Sequence, residues 1–395
     1  MIEFGLESIQ PISQGVKIKV VGVGGAGGNT INCMIEHGLT GIESIAANTD
    51  AQALKLSKAN HVIQLGVKST KGLGTGANPE LGKRAAEEDI EKVMEMLADA
   101  DIVFLTGGLG GGTGSGALPV IAQALREKNI LCIAVVTKPF AFEGKRRAQV
   151  AHGSLELLKK IVDTLIVVPN QKLLDYVDVK MSMIDSFSMI NQILMNAVTG
   201  IADIISMPGH INVDFADVRA IMKDKGLAIM GCARANGPDR AYLAALDAIS
   251  SPLLENMDIA GASGVLINVT GGPDLALHEL SAAAQLIYEK ADENANIIVG
   301  SVINPNHSDD ITVTIIATGF ETRNAKSAAA ETGAIQQLQT PHVAVESVTH
   351  VTSSPAPATP ITTTATHGVP VADIELSDAL DVPTYLRRAN ENTQL

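Results

Sequence analysis

The chain has 395 residues, with 43 acidic against 29 basic side chains and a formal net charge of -14. Aromatics make up only 3% and Trp is absent, so both the basic footprint and the stacking platforms of nucleic-acid binding are missing, and that class of partner is excluded. At 46% hydrophobic the chain is too apolar for overall disorder, and it is too long for a single core.

In chain order, the N-terminus (residues 1–13) reads as flexible and carries no signal-peptide pattern. From Val16 to Val168, short apolar runs alternate with helical patterns: 17–23, 43–48, 61–65, 101–106, 130–137 and 164–169, with helices over Pro79–Leu97 and Ala117–Glu127. Val- and Ile-rich strands alternating with helices predict a Rossmann-like parallel sheet covered on both faces, with ligands at the carboxyl ends of its strands. This first domain spans 14–180. Met181–Met207 is apolar almost all round but is interrupted by Asp185, Asn191, Gln192, Asn196 and Asp203, which predicts a buried central helix (181–207), not a membrane span. Strand patterns at 227–234, 264–270, 296–302 and 310–319, with helices near Arg240–Ser250 and Leu275–Glu289, predict a smaller α/β domain with a mixed sheet over 208–320. Residues 321–372 read as a disordered linker: Glu346 is the only charge between 332 and 370, and Pro341, Pro355, Pro357, Pro360 and Pro370 interrupt any regular element. Residues 373–395 regain charge and hydrophobes and read as a tethered partner-binding peptide. Cys33, Cys132 and Cys232 have no metal spacing and are expected as buried thiols in a reducing cytoplasm.

Three glycine loops carry the chemistry. After the first strand, Gly22, Gly24 and Gly27 match GxGxxG, with Asp50 near the end of the second strand, so a nicotinamide-dependent oxidoreductase is a rival reading. The loop from Gly107 to Gly116 has glycine at seven of ten positions between a buried strand and a helix, which points to a phosphate cradle. No Lys occupies the Walker position, so the phosphate charge must be met by backbone amides, the hydroxyls of Thr113 and Ser115, and a metal ion. The third loop, Lys71 to Pro79, follows the third strand, and three such loops on one sheet edge suit a triphosphate.

The motifs GVGGAGGN, NTDAQAL, KGLGTGANP, GGLGGGTGSG, VTKPFAFEGKRR and NVDFADV resemble, in this order, the FtsZ family of bacterial tubulin-like cell-division GTPases. The resemblance covers about residues 14–320 plus a tail motif. It implies GTP/GDP binding with Mg2+, and K+ as an optional second cation; no metal ligand is assigned. It implies head-to-tail homopolymers in which nucleotide lies between subunits. By matching positions, Gly24, Gly25, Ala26, Gly27, Gly28, Asn29, Gly76, Gly111, Gly112, Thr113, Gly114, Ser115 and Gly116 would surround the phosphates, with Asn48 and Asp50 nearby. Thr137, Glu143 and Arg147 would hold ribose and phosphates, and Asn170, Phe187 and Asn191 would meet guanine. Phe187 and Asn191 are four apart and share a helix face, a pattern that also fits ordinary core packing.

Asn212, Asp214 and Asp217 would form the catalytic loop, entering the next subunit's GTP site to polarise water. Spacing alone favours simple capping of a helix by Asp214 with favourable charge at its N-terminus; the resemblance reverses that preference. In the tail, Asp381, Pro383, Tyr385, Leu386 and Arg387 resemble the family's peptide for membrane-tethering and regulatory division proteins. Val382, Thr384 and Tyr385 depart from its commoner residues, as does His210 before the catalytic loop. The expected location is the cytoplasm at the mid-cell division site, without direct membrane insertion. A nucleotide-dependent scaffold that does not hydrolyse is the remaining alternative.

Overall fold

Continuous Val/Ile runs form strands because both faces of a central parallel strand are buried. β1 (Ile18–Val23), β2 (Glu43–Asn48), β3 (His61–Gln64), β4 (Ile102–Gly108), β5 (Leu131–Lys138) and β6 (Thr164–Pro169) pair in parallel in the order β3-β2-β1-β4-β5-β6. In β1, Ile18 and Val20 enter the core on one side of the sheet, Val21 and Val23 the core on the other. The computed structural model describes residues 15–39, 41–173, 181–206, 213–251, 259–304 and 309–320. All of them lie in one unit, Met1–Leu338; Gln339–Leu395 is a separate unit outside the described residues.

The helices are α1 (Gly24–Glu36), α2 (Ala51–Lys55), α3 (Val67–Thr70), α4 (Pro79–Leu97), α5 (Gly112–Glu127), α6 (Lys145–Ile161), α7 (Asn170–Leu173), α8 (Met183–Ser206), α9 (Phe215–Met222), α10 (Arg240–Ile249) and α11 (Leu277–Lys290). Asn78 caps α4 by accepting from the amides of Glu80 and Leu81, with Pro79 preset at the first helical position. α5 starts five residues earlier than the apolar pattern suggests, so Pro119 lies inside it instead of in its first turn. A proline there removes the N–H that would bond the Ser115 carbonyl. The Ser154 hydroxyl on α6 donates to that carbonyl at 2.8 Å instead, which repairs the break and ties α6 to α5.

The second block forms β7 (Gly226–Asn236), β8 (Gly264–Gly271), β9 (Asn296–Ile303) and β10 (Asp310–Thr318). β10 pairs antiparallel with β7 and β8, and β8 pairs parallel with β9, the mixed sheet read from the sequence. One junction was not foreseen. β6 and β7 pair in parallel over Thr164–Ile166 and Gly226–Ala228, so all ten strands make one sheet.

α8 packs against residues from both blocks, including Ile133 of β5, Leu266 of β8 and Ile316 of β10. It is long and apolar enough to cross a membrane by length and composition alone. Its buried residues run from Ile190 to Ile204. The expectation of burial along its whole length fails at the first turns, where Met183, Ile184 and Phe187 are exposed. Of the three thiols expected to be buried only Cys132 is fully so, Cys33 and Cys232 being half-buried; burial pushes all three upward, and none is in a disulfide.

Candidate nucleotide site

The strand order reverses between β1 and β4, which opens a crevice at the carboxyl ends of these neighbours. α1 leaves β1 and α5 follows β4, so two helix N-termini meet there. Neither has a side-chain cap: Val23 and Gly111 occupy the cap positions without accepting a side-chain bond. Their first-turn amides are therefore free to bind anionic oxygen, and both helix dipoles place positive potential in the crevice.

A cleft of about 280 Å³ lies at this point. The sequence-assigned residues Gly24, Gly25, Ala26, Gly111, Gly112, Thr113, Gly114, Thr137, Glu143, Arg147, Asn170 and Phe187 all line it. A smaller cavity of about 130 Å³ shares Gly24 and Gly25 and adds Gly28, Asn29 and Asn48. A Cβ on Gly25, Gly28 or Gly111 would touch no protein atom, so backbone is left bare at both cavities.

The cleft is polarised along its length. At the helix N-termini, the Thr113 hydroxyl lies 2.7 Å from that of Thr49 and 3.4 Å from that of Thr75, a cluster of neutral oxygen ligands. Farther along, Arg147 pairs with Glu143, whose other oxygen accepts from the Phe140 amide at 2.9 Å. At the far end Asn170 is buried, and among the described residues its Oδ1 has no hydrogen-bond partner. An orphaned buried carbonyl is costly, and its position on the cleft wall suits a donor arriving from outside. Phe187, 42% exposed, packs edge-on against Phe140 with ring centroids 5.7 Å apart. Its exposed ring is a wall on which a flat base can stack, and core packing does not account for it.

Several assigned residues do other work. Ser115 is buried, and its hydroxyl accepts from the Gly110 amide at 2.8 Å, so it braces the loop. Gly116 abuts the backbone of Pro79 and Lys83, and Gly27 abuts Gly22 and Thr106; both are packing contacts. The Asp50 carboxylate caps α2 by accepting from the amides of Gln52 and Ala53. Asn48 accepts from the Thr49 amide at 2.8 Å. Gly76 is exposed in its loop at φ +56° and lines neither cavity. Asn191 accepts from Thr30 at 3.4 Å, which sets it against α1 beside the cleft. Sequence reasoning missed Thr49 and Thr75, although both lie in quoted motifs; glycine drew the attention there.

Asp214 and Asp217 are exposed at the start of α9 and line neither cavity. Asp214 holds the cap position, but its side chain makes no capping bond, so the capping explanation fails. Asn212 and His210 lie outside the described residues, as do Asp381, Pro383, Tyr385, Leu386 and Arg387.

Comparisons agree with this geometry. Residues 17–178 match the GTPase domain of the Tubulin/FtsZ family, and residues 226–321 match the C-terminal domain of the FtsZ family. The chain is similar to an FtsZ dimer from M. jannaschii, with 44% identity, 78% of this chain and 90% of that chain covered, and a TM-score of 0.75. The fold is also shared with CetZ1 of Haloferax volcanii (23% identity, 80% and 100% coverage, TM-score 0.67). CetZ2 of the same organism, solved as a GTPγS-bound protofilament, gives 22% identity, 82% and 100% coverage, and a TM-score of 0.64. A cleft with two uncapped helix N-termini at one end and an amide beside an aromatic wall at the other thus sits in a chain that belongs to the FtsZ family of tubulin-like GTPases.

Proposed function

We propose that this GTPase completes its active site by head-to-tail assembly, with Asp214 and Asp217 of one copy entering the nucleotide cleft of the next. One observation carries this reading. Glu143 is the only carboxylate lining the cleft among the described residues, and it is already committed to Arg147 and the Phe140 amide. Asp214 and Asp217, at the start of α9, are exposed, and their carboxylates make no hydrogen bond or ion pair among the described residues. The dimeric form of the M. jannaschii relative and the protofilament form of CetZ2 support self-association. Family membership leaves no reason to keep the oxidoreductase or the non-hydrolysing scaffold.

In this mechanism the amides of α1 and α5 hold the triphosphate, and Asn170 Oδ1 accepts from the donor edge of guanine stacked on Phe187. Thr49, Thr75 and Thr113 supply neutral oxygens at the phosphate end, which fits Mg2+ held mainly by phosphate and water. The ion would offset the phosphate charge. Asn212, Asp214 and Asp217 orient and polarise the attacking water, so catalysis is chiefly positioning and electrostatics. Filaments of this kind would form a cytoplasmic ring at mid-cell, and residues 381–388 would recruit division proteins.

Asp214→Ala should leave GTP affinity unchanged and lower phosphate release by about 100-fold or more, the scale of a lost acid–base group. Mixing it with Thr113→Arg, whose cleft is blocked, should restore activity, because each chain supplies what the other lacks. Turnover by wild-type protein that stays constant per molecule across all concentrations would refute the shared site.

A further inference from the structure

The amino ends of β5, β6 and β7 lie at the sheet edge opposite the nucleotide cleft, and a second cavity of about 240 Å³ opens there. Arg126 comes from the end of α5, Asn129 from the following turn, Asp163 from the turn before β6, and Arg219, Lys223 and Asp224 from α9 and its exit. Three cations and two carboxylates line this space, yet among the described residues no ion pair joins any of them. On a chain of net charge -14, such a cation excess needs a reason.

Part of the reason is structural. α5 and α9 both end here, and carbonyl ends of helices favour cations. Arg126, from the end of α5, instead donates to the Lys160 and Ile161 carbonyls at the end of α6. Asp163 is likewise committed, accepting from the Cys132 amide at 2.9 Å. The rest is uncommitted. Arg219 is half-buried and lines the cavity, and its guanidinium makes no hydrogen bond or ion pair among the described residues. Among the described residues the Lys223 ammonium reaches only Asn129 Oδ1, at a long 3.5 Å. A guanidinium fork and a weakly held ammonium in a cavity large enough for an ion and its waters form the donor set that recognises a tetrahedral oxyanion.

We propose that this cavity is a second anion site, for a small oxyanion of the phosphate class held by Arg219 and Lys223. It is separate from the nucleotide cleft, but it touches the far ends of the two helices whose first turns carry Gly112–Gly114 and Asp217. Asp224 opposes the bound charge from the rim. It sits at φ +54°, a conformation Asn also adopts readily, so D224N removes the charge without straining the backbone.

The test is titration of inorganic phosphate into the GDP-loaded full chain by calorimetry, with sodium chloride holding ionic strength constant. Wild type should show one saturable phosphate site. R219Q/K223Q should bind phosphate at least about tenfold more weakly while its GDP affinity stays unchanged, and D224N should bind it more tightly. R219K, which keeps the charge but loses the fork, should fall between. Wild-type binding matched by the double variant, or no saturable binding at all, would overturn the proposal. Tighter binding of malonate than of phosphate would overturn the assignment to the phosphate class.

Discussion

The two glycine loops at the cleft look alike in sequence but spend their glycines differently. In the β1–α1 loop, Gly22 and Gly27 press against each other's backbone, while Gly25 and Gly28 face open space. In the β4–α5 loop, Gly112, Gly114 and Gly116 are all closed in by the backbone or side chains of Thr75, Asn78, Gly108, Pro79 or Lys83, and only Gly111 is open. The glycine-richer loop is therefore mainly a packing device. It lets α5 approach α4 and the end of β4 so closely that its uncapped N-terminus reaches the cleft. A glycine count locates a nucleotide site, but it does not say which glycines face the ligand.

Gly116→Ala makes the strongest attempt to break this distinction. Its Cβ would be driven into the Pro79 carbonyl and lie 2.5 Å from the Lys83 amide, and neither can move without shifting α4. Overpacking against backbone on two sides should cost about 3 kcal/mol or more, at the upper end of such substitutions. Urea unfolding of the Gly116→Ala variant would measure it. Stability within about 0.5 kcal/mol of wild type would show that the tight approach is not needed for the fold.

Gly25→Ala should give the opposite pattern. The new methyl meets no protein atom, and alanine is the better helix former, so stability should hold or rise by up to about 1 kcal/mol. The methyl instead occupies space beside the α1 amides. GTP affinity should fall by about tenfold, equivalent to about 1.4 kcal/mol. Equilibrium binding of a fluorescent GTP analogue, together with an unfolding curve, separates the two effects. Unaltered affinity would remove this face of α1 from the phosphate site.

Most elements were legible in the sequence because β1, β4, β5 and β6 are near-continuous buried runs and the long helices are amphipathic. The pattern for α4 even gave both of its ends, since Asn78-Pro79 is a start signal. The β6–β7 pairing was not legible. It consists of three residue pairs between segments some 60 positions apart, and periodicity carries no record of partner choice. Motif resemblance selected the cleft residues well where backbone position decides the contact, as with Gly24, Gly25 and Thr113. It could not show what the side chains of Ser115 and Asp50 also do, since each accepts from an amide of its own segment. The exposure of Phe187 was likewise hidden, because apolar composition cannot show that the first turns of α8 overhang a cleft.

Gly200 sharpens the comparison at its mildest point, away from both loops. It faces β10 from the middle of α8, and a Cβ there would meet Thr314 Cγ2 at 2.9 Å, a side chain and not backbone. Gly200→Ala gains about 1 kcal/mol in helix propensity. Against this stands the displacement of a β-branched residue whose hydroxyl also bonds Cys232, and the adjacent bond from Asn268 to the Gly200 carbonyl at 3.0 Å, which fixes how far α8 can retreat. The two effects are of similar size, so the net change in unfolding free energy should stay within about 1 kcal/mol. A loss as large as that of Gly116→Ala would mean that contact with side chains is as unforgiving as contact with backbone, and the division drawn between the two kinds of closed glycine would fail.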